Sequence, residues 1–82
     1  MLDEPEPSTE RAIAAIEEYL ARHPAAADGE QGVAQWWLPA VGVDVSIEHV
    51  RRALKVLCAR GRIECTVLPD GGMVYHAPRR TA

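Results

Sequence analysis

The sequence predicts a small α+β domain: three helices followed by a two-stranded β-hairpin. Three observations predict it. Apolar residues recur at three-and-four spacing through most of the chain, the period shortens to two after Gly61, and Pro69-Asp70-Gly71-Gly72 supplies a tight turn between two short runs. With 82 residues, the chain holds one core and no second lobe to frame a deep enzyme cleft. A hydrophobic fraction of 48% and a charged fraction of 26% exclude wholesale disorder.

Residues 1–8, MLDEPEPS, combine three acids with two prolines and offer nothing to bury, so a disordered acidic tail is expected. The domain proper is expected over residues 9–77. Ser8 or Thr9 is suited to cap a first helix, whose opening turn favours the charge of Glu10. Ala12, Ile13, Ile16 and Leu20 trace its apolar face, and Pro24 closes it at His23. Ala25 to Ala27 read equally as a connector or a very short strand. Asp28 followed by Gln31 resembles a capping box opening a second helix. There Val33, Trp36, Trp37 and Ala40 form the stripe, and Pro39 is expected to end the helix near Trp37 or Leu38.

The third helix, residues 46–60, is the most clearly bounded. Ser46 offers a cap and Gly61 a left-handed stop, with Val50, Ala53, Leu54 and Leu57 between them as a buried stripe. Glu48, Arg52 and Lys55 fall on the opposite side, with Arg51 on the flank. Beyond Gly61, Ile63, Cys65 and Val67 alternate with Arg62, Glu64 and Thr66, which predicts a strand with one buried side. Met73 to His76 return as its partner. Residues 78–82 form a basic tail containing Arg79 and Arg80.

Net charge is −3, but it is unevenly distributed. Residues 1–45 hold nine carboxylates against Arg11 and Arg22, a formal −7, whereas residues 46–82 hold seven Arg or Lys against three carboxylates, a formal +4. Such asymmetry can place an electropositive face on an acidic protein. Two cysteines are too few for a disulfide framework, and the acidic amino terminus lacks an apolar signal core. The longest apolar run, Trp36 to Val43, is too short to cross a bilayer. A cytoplasmic protein without membrane attachment is therefore expected.

The run from Val45 to Glu64, VSIEHVRRALKVLCARGRIE, followed by PDGGMVY from Pro69 to Tyr75, resembles the winged helix-turn-helix domains of bacterial transcription regulators. The likeness covers roughly residues 9–77. It implies a third helix set in the major groove of double-stranded DNA and a hairpin wing, residues 62–77, against the adjacent backbone. By position it implies Ser46, His49, Arg51, Arg52 and Lys55 as the contact surface, with phosphate charge added by Arg62, Arg79 and Arg80.

The alternative use of such a fold is protein docking without DNA. The negative net charge, Asp70 at the wing tip, Glu48 on the outward helix face and the adjacent Trp36 and Trp37 point that way. One indole is expected to anchor the core, and the less buried one would meet a second copy or another protein. Cys58 and Cys65 match no zinc spacing, and His23, His49 and His76 lie on different elements. No triad, phosphate loop or paired-acid motif is visible, so neither catalysis, nor a metal, nor a cofactor is expected.

Overall fold

Helix α1 spans Pro7–Arg22 in the computed structural model, which describes residues 6–78 of the chain. It starts earlier than expected. Pro7 opens it with a φ already suited to a helix and no N–H to satisfy, and Glu6 takes the capping position, so neither Ser8 nor Thr9 caps. Glu6 to Ser8 thus belong to the helix start rather than to a tail; residues 1–5 and 79–82, including the rest of the expected acidic tail and Arg79-Arg80 of the basic one, lie outside the described residues. Ala12, Ile13, Ile16 and Leu20 are buried as their spacing predicts. The His23 N–H donates to Tyr19 O at 2.8 Å, just before Pro24 turns the chain away.

The ambiguous segment after α1 resolves as strand β1, Ala27–Asp28. It pairs antiparallel with the strand Met73–His76, with Ala27 opposite His76 and Asp28 opposite Tyr75. Glu64–Val67 pairs on that strand's other side, with Cys65 opposite Tyr75 and Val67 opposite Met73. Calling these β2 (Glu64–Val67) and β3 (Met73–His76), the sheet order is β1-β3-β2. The expected two-stranded hairpin is therefore the larger part of a three-stranded antiparallel sheet.

Helix α2 covers residues 30–40 as three consecutive parts, α-helical Glu30–Gly32, π-helical Val33–Trp37 and α-helical Leu38–Ala40. Two expectations fail here. Pro39 does not end the helix, because the wide π turn eases the clash its ring would make with a carbonyl four residues back. The same extra residue per turn shifts the phase: Val33, Trp37 and Leu38 are buried, whereas Trp36 and Ala40 face solvent. Nor does Asp28 cap the helix. Gly29 occupies that position, and the Asp28 carboxylate accepts the indole N–H of Trp37 at 2.9 Å.

That bond rests on Gly32. A Cβ there would lie 2.6 Å from Asp28 Oδ1, so alanine must push the carboxylate aside. Gly32→Ala gains about 1 kcal/mol of helix propensity but gives up a hydrogen bond to a charged group worth about 1.5–3 kcal/mol. Urea denaturation is expected to show a net loss near 1 kcal/mol, with altered Trp37 emission.

Helix α3, Ile47–Ala59, follows the expected bounds. Its end is a Schellman turn: Gly61 has φ 71°, its N–H donates to Cys58 O at 3.0 Å, and the Arg62 N–H donates to Leu57 O at 2.8 Å. Its beginning differs from expectation, since Ser46 makes no side-chain cap bond and instead contacts His49 Nδ1 at 2.9 Å. Val50, Ala53, Leu54 and Leu57 meet the apolar faces of α1 and α2 in one core, completed by Ile63 at the start of the wing. Trp37 is the largest side chain in that core, fully buried and stacked on Tyr19 with ring centroids 5.0 Å apart.

The wing projects beyond the core. Of the residues expected on its buried side, only Ile63 is buried; Cys65 is exposed and Val67 is 67% exposed. The alternation is real, but the helical core is too small to reach past the base of the hairpin. At the tip, Gly71 takes φ 91° and the Asp70 carboxylate accepts the Gly72 N–H at 2.9 Å. Asp70 is thus part of the turn's own hydrogen bonding. Among the described residues, no helix is long and apolar enough to cross a membrane.

Candidate nucleic-acid interface

The buried stripe of α3 fixes what its other side presents. With Val50, Ala53, Leu54 and Leu57 turned inward, the 100° step per residue turns Glu48, Arg51, Arg52 and Lys55 outward. All four are exposed and together line a shallow open groove of about 230 Å³. Ser46 and His49 sit at its amino-terminal end, joined by their side chains.

The cationic row is not bare. Arg51 Nε donates to Glu30 Oε2 of α2 at 2.8 Å. Glu6 Oε1 serves two partners, His49 Nε2 at 3.0 Å and Arg52 Nη1 at 3.4 Å. Arg62 pairs with Glu17 of α1 at 3.1 Å. Lys55 has no ion-pair partner among the described residues. Three carboxylates of the acidic first half, Glu6, Glu17 and Glu30, are therefore folded onto cations of the basic second half. The charge asymmetry is legible in the sequence, but nothing in it marks Glu6, Glu17 and Glu30, because only the packing of α1 and α2 against α3 assigns each carboxylate a cation.

These pairs stand at the surface, with Arg51 and Arg52 side chains 53% and 59% exposed. Pairs of this kind contribute about 0–1 kcal/mol each and exchange readily with solvent ions. They set the field of the face without locking it. Arg62 belongs to a different part of the surface, since its partner Glu17 lies eleven residues along α1 from Glu6, about 16 Å at 1.5 Å per residue. Of the sequence-predicted residues, Ser46, His49, Arg51, Arg52 and Lys55 are brought together, Arg62 stands apart at the wing base, and Arg79 and Arg80 lie outside the described residues.

The two indoles separate completely. Trp37 is 0% exposed and so is closed to any partner, whereas Trp36 is 65% exposed. A partner interface at this corner has Trp36 alone. On the wing, Val67, Leu68 and Met73 are also exposed large apolar side chains.

Both cysteines are free thiols, Cys58 half-buried and Cys65 exposed. Burial, followed by the neighbouring Cys65, pushes the Cys58 thiol above its ordinary value. The folded protein then holds that proton more tightly than the unfolded chain does. Stability from this group is complete below the ordinary thiol range and declines as pH rises from there through the raised folded value. Alkylation near neutral pH, followed by peptide mass analysis, is accordingly expected to label Cys65 well before Cys58.

Among the described residues, no group of three or more His, Cys, Asp or Glu side chains is arranged to hold a metal ion. No protein-family model matches the chain, and no curated protein matches it.

Proposed function

We propose that the chain is a winged helix-turn-helix domain that binds double-stranded DNA and regulates transcription. The reading is supported chiefly by one observation: α3 turns an exposed row of Arg51, Arg52 and Lys55 outward and runs through Gly61 directly into the wing. In this mechanism α3 enters the major groove, where an arginine can pair bidentately with guanine O6 and N7. Lys55 and Ser46 hold phosphates, His49 holds a phosphate or a base edge, and Arg62 meets the backbone beside the wing. The protein acts by binding rather than catalysis, in the cytoplasm.

Glu6 and Glu30 then compete with the DNA for Arg52 and Arg51. Glu6→Gln frees Arg52 and His49, and duplex affinity is expected to rise about fivefold, matching an exposed pair worth up to about 1 kcal/mol. Fluorescence anisotropy with a labelled duplex measures it. The same assay across a salt series tests the function itself. The two cations set on phosphate, Lys55 and Arg62, predict a slope of log K against log salt of about −1.8. Absence of any salt-sensitive duplex binding would overturn the proposal.

A second reading, protein docking, is favoured by Trp36 standing 65% exposed on a small domain. Sedimentation of the wild type and of Trp36→Ala distinguishes the two. A chain that remains monomeric at high concentration and still binds duplex DNA counts against self-docking.

A further inference from the structure

The Schellman turn at Gly61 reverses the chain so that β2 returns beside the last turns of α3. Three sulfur-bearing residues remote in kind from the cationic row are thereby gathered: Cys58 from α3, Cys65 from β2 and Met73 from β3 line one open groove of about 350 Å³. Its other walls are Leu54, Lys55 and Tyr75. Cys65 and Met73 lie two rungs apart on the hairpin, since Cys65 faces Tyr75 and Val67 faces Met73. Side chains at such diagonal positions point to the same face of the sheet and lie within reach of a long residue such as methionine. Sequence spacing alone hid this set, because two cysteines separated by six residues fit no zinc pattern.

We propose that Cys58, Cys65 and Met73 form a binding site for a soft monovalent metal ion, Cu(I). The donor chemistry selects the class: two thiolates and a thioether suit a soft ion of low coordination number, whereas zinc, which thiolates also bind, takes four donors, and hard cations call for oxygen ligands; no imidazole or carboxylate lines this groove to complete either set. Three sulfurs suffice for a d¹⁰ ion of low coordination number. The mostly apolar walls suit an ion that gives up its water easily. On binding, the two thiols release their protons to solvent and two copper–thiolate bonds form, with Met73 sulfur as a neutral third donor; no atom changes oxidation state. The site then carries one net negative charge, and the Lys55 ammonium in the same wall offsets it.

The site shares Lys55 with the proposed DNA face, and it is tested with no DNA present. The full chain is titrated anaerobically with Cu(I) held by a competing chromogenic chelator, and sedimentation is run on the loaded sample. The expected result is one ion per monomeric chain. Cys65→Ser, at an exposed position where folding is undisturbed, should weaken binding by more than the roughly 10–100-fold lost with an outer-shell partner. Met73→Leu should weaken it less but measurably, and Zn(II) should not displace the bound ion. Equal affinity in wild type and Cys65→Ser, an unaffected Met73→Leu, or copper bound only between two chains would each overturn the site.

Discussion

Trp37→Ala is expected to destabilise the domain by about 3–5 kcal/mol, the range for truncating a large buried aromatic. Small domains hold only about 5–15 kcal/mol in all, and this chain sits toward the short end of the size range, so the variant should be largely unfolded at physiological temperature. Trp37 is where three packing relations meet. Its ring fills the core with no exposure, it stacks on Tyr19 of α1, and its N–H ties α2 to Asp28 of β1. Truncation leaves a cavity and an Asp28 carboxylate without its donor. Trp37→Phe keeps most of the volume and the stack, and should cost less. The control is one residue away: Trp36→Ala, at an exposed site, should stay within about 0.5 kcal/mol of the wild type. Thermal and urea denaturation followed by circular dichroism measures all three.

The second large effect is on binding. Arg51→Ala/Arg52→Ala removes two candidate base-reading groups, each worth about 1–3 kcal/mol if bidentate, so duplex affinity should fall at least about 30-fold. Stability should barely change, because the ion pairs to Glu30 and Glu6 are exposed. That separation of effects is the point of the variant. A folded protein that has lost DNA affinity locates the interface on α3, and unchanged affinity would remove the surface assigned to it. Lys55→Ala, which breaks no ion pair among the described residues, should weaken binding uniformly across sequences and reduce the salt slope by about one unit.

The parts of this fold that were legible in the sequence are those decided locally. The stripe of α3, its glycine stop and the switch to a two-residue period beyond it are each written in consecutive residues, and the structure follows them closely. What was not legible depends on partners distant in the chain. Ala27 and Asp28 carry no strand pattern and become β1 only because β3 has a free edge to pair with. The expected stripe of α2 assumed a regular helix, and a π turn ahead of Pro39 rotated Trp36 out and Leu38 in. In the wing, alternation correctly gave a strand but not its burial, since a period of two says that Cys65 and Val67 share a face and not that anything covers it. The cationic residues of α3 were readable as a row. Their pairing with Glu6 and Glu30 was not, because it requires the relative placement of three helices.

Amide-shift NMR of the whole chain, titrated with duplex DNA at moderate salt, tests the central claim most directly. Shifts are expected to concentrate from Ser46 to Lys55 and along the wing, accompanied by the amides of Glu6 and Glu30 as their carboxylates yield Arg52 and Arg51 to the DNA. Shifts centred on Trp36, or none on α3, would contradict it.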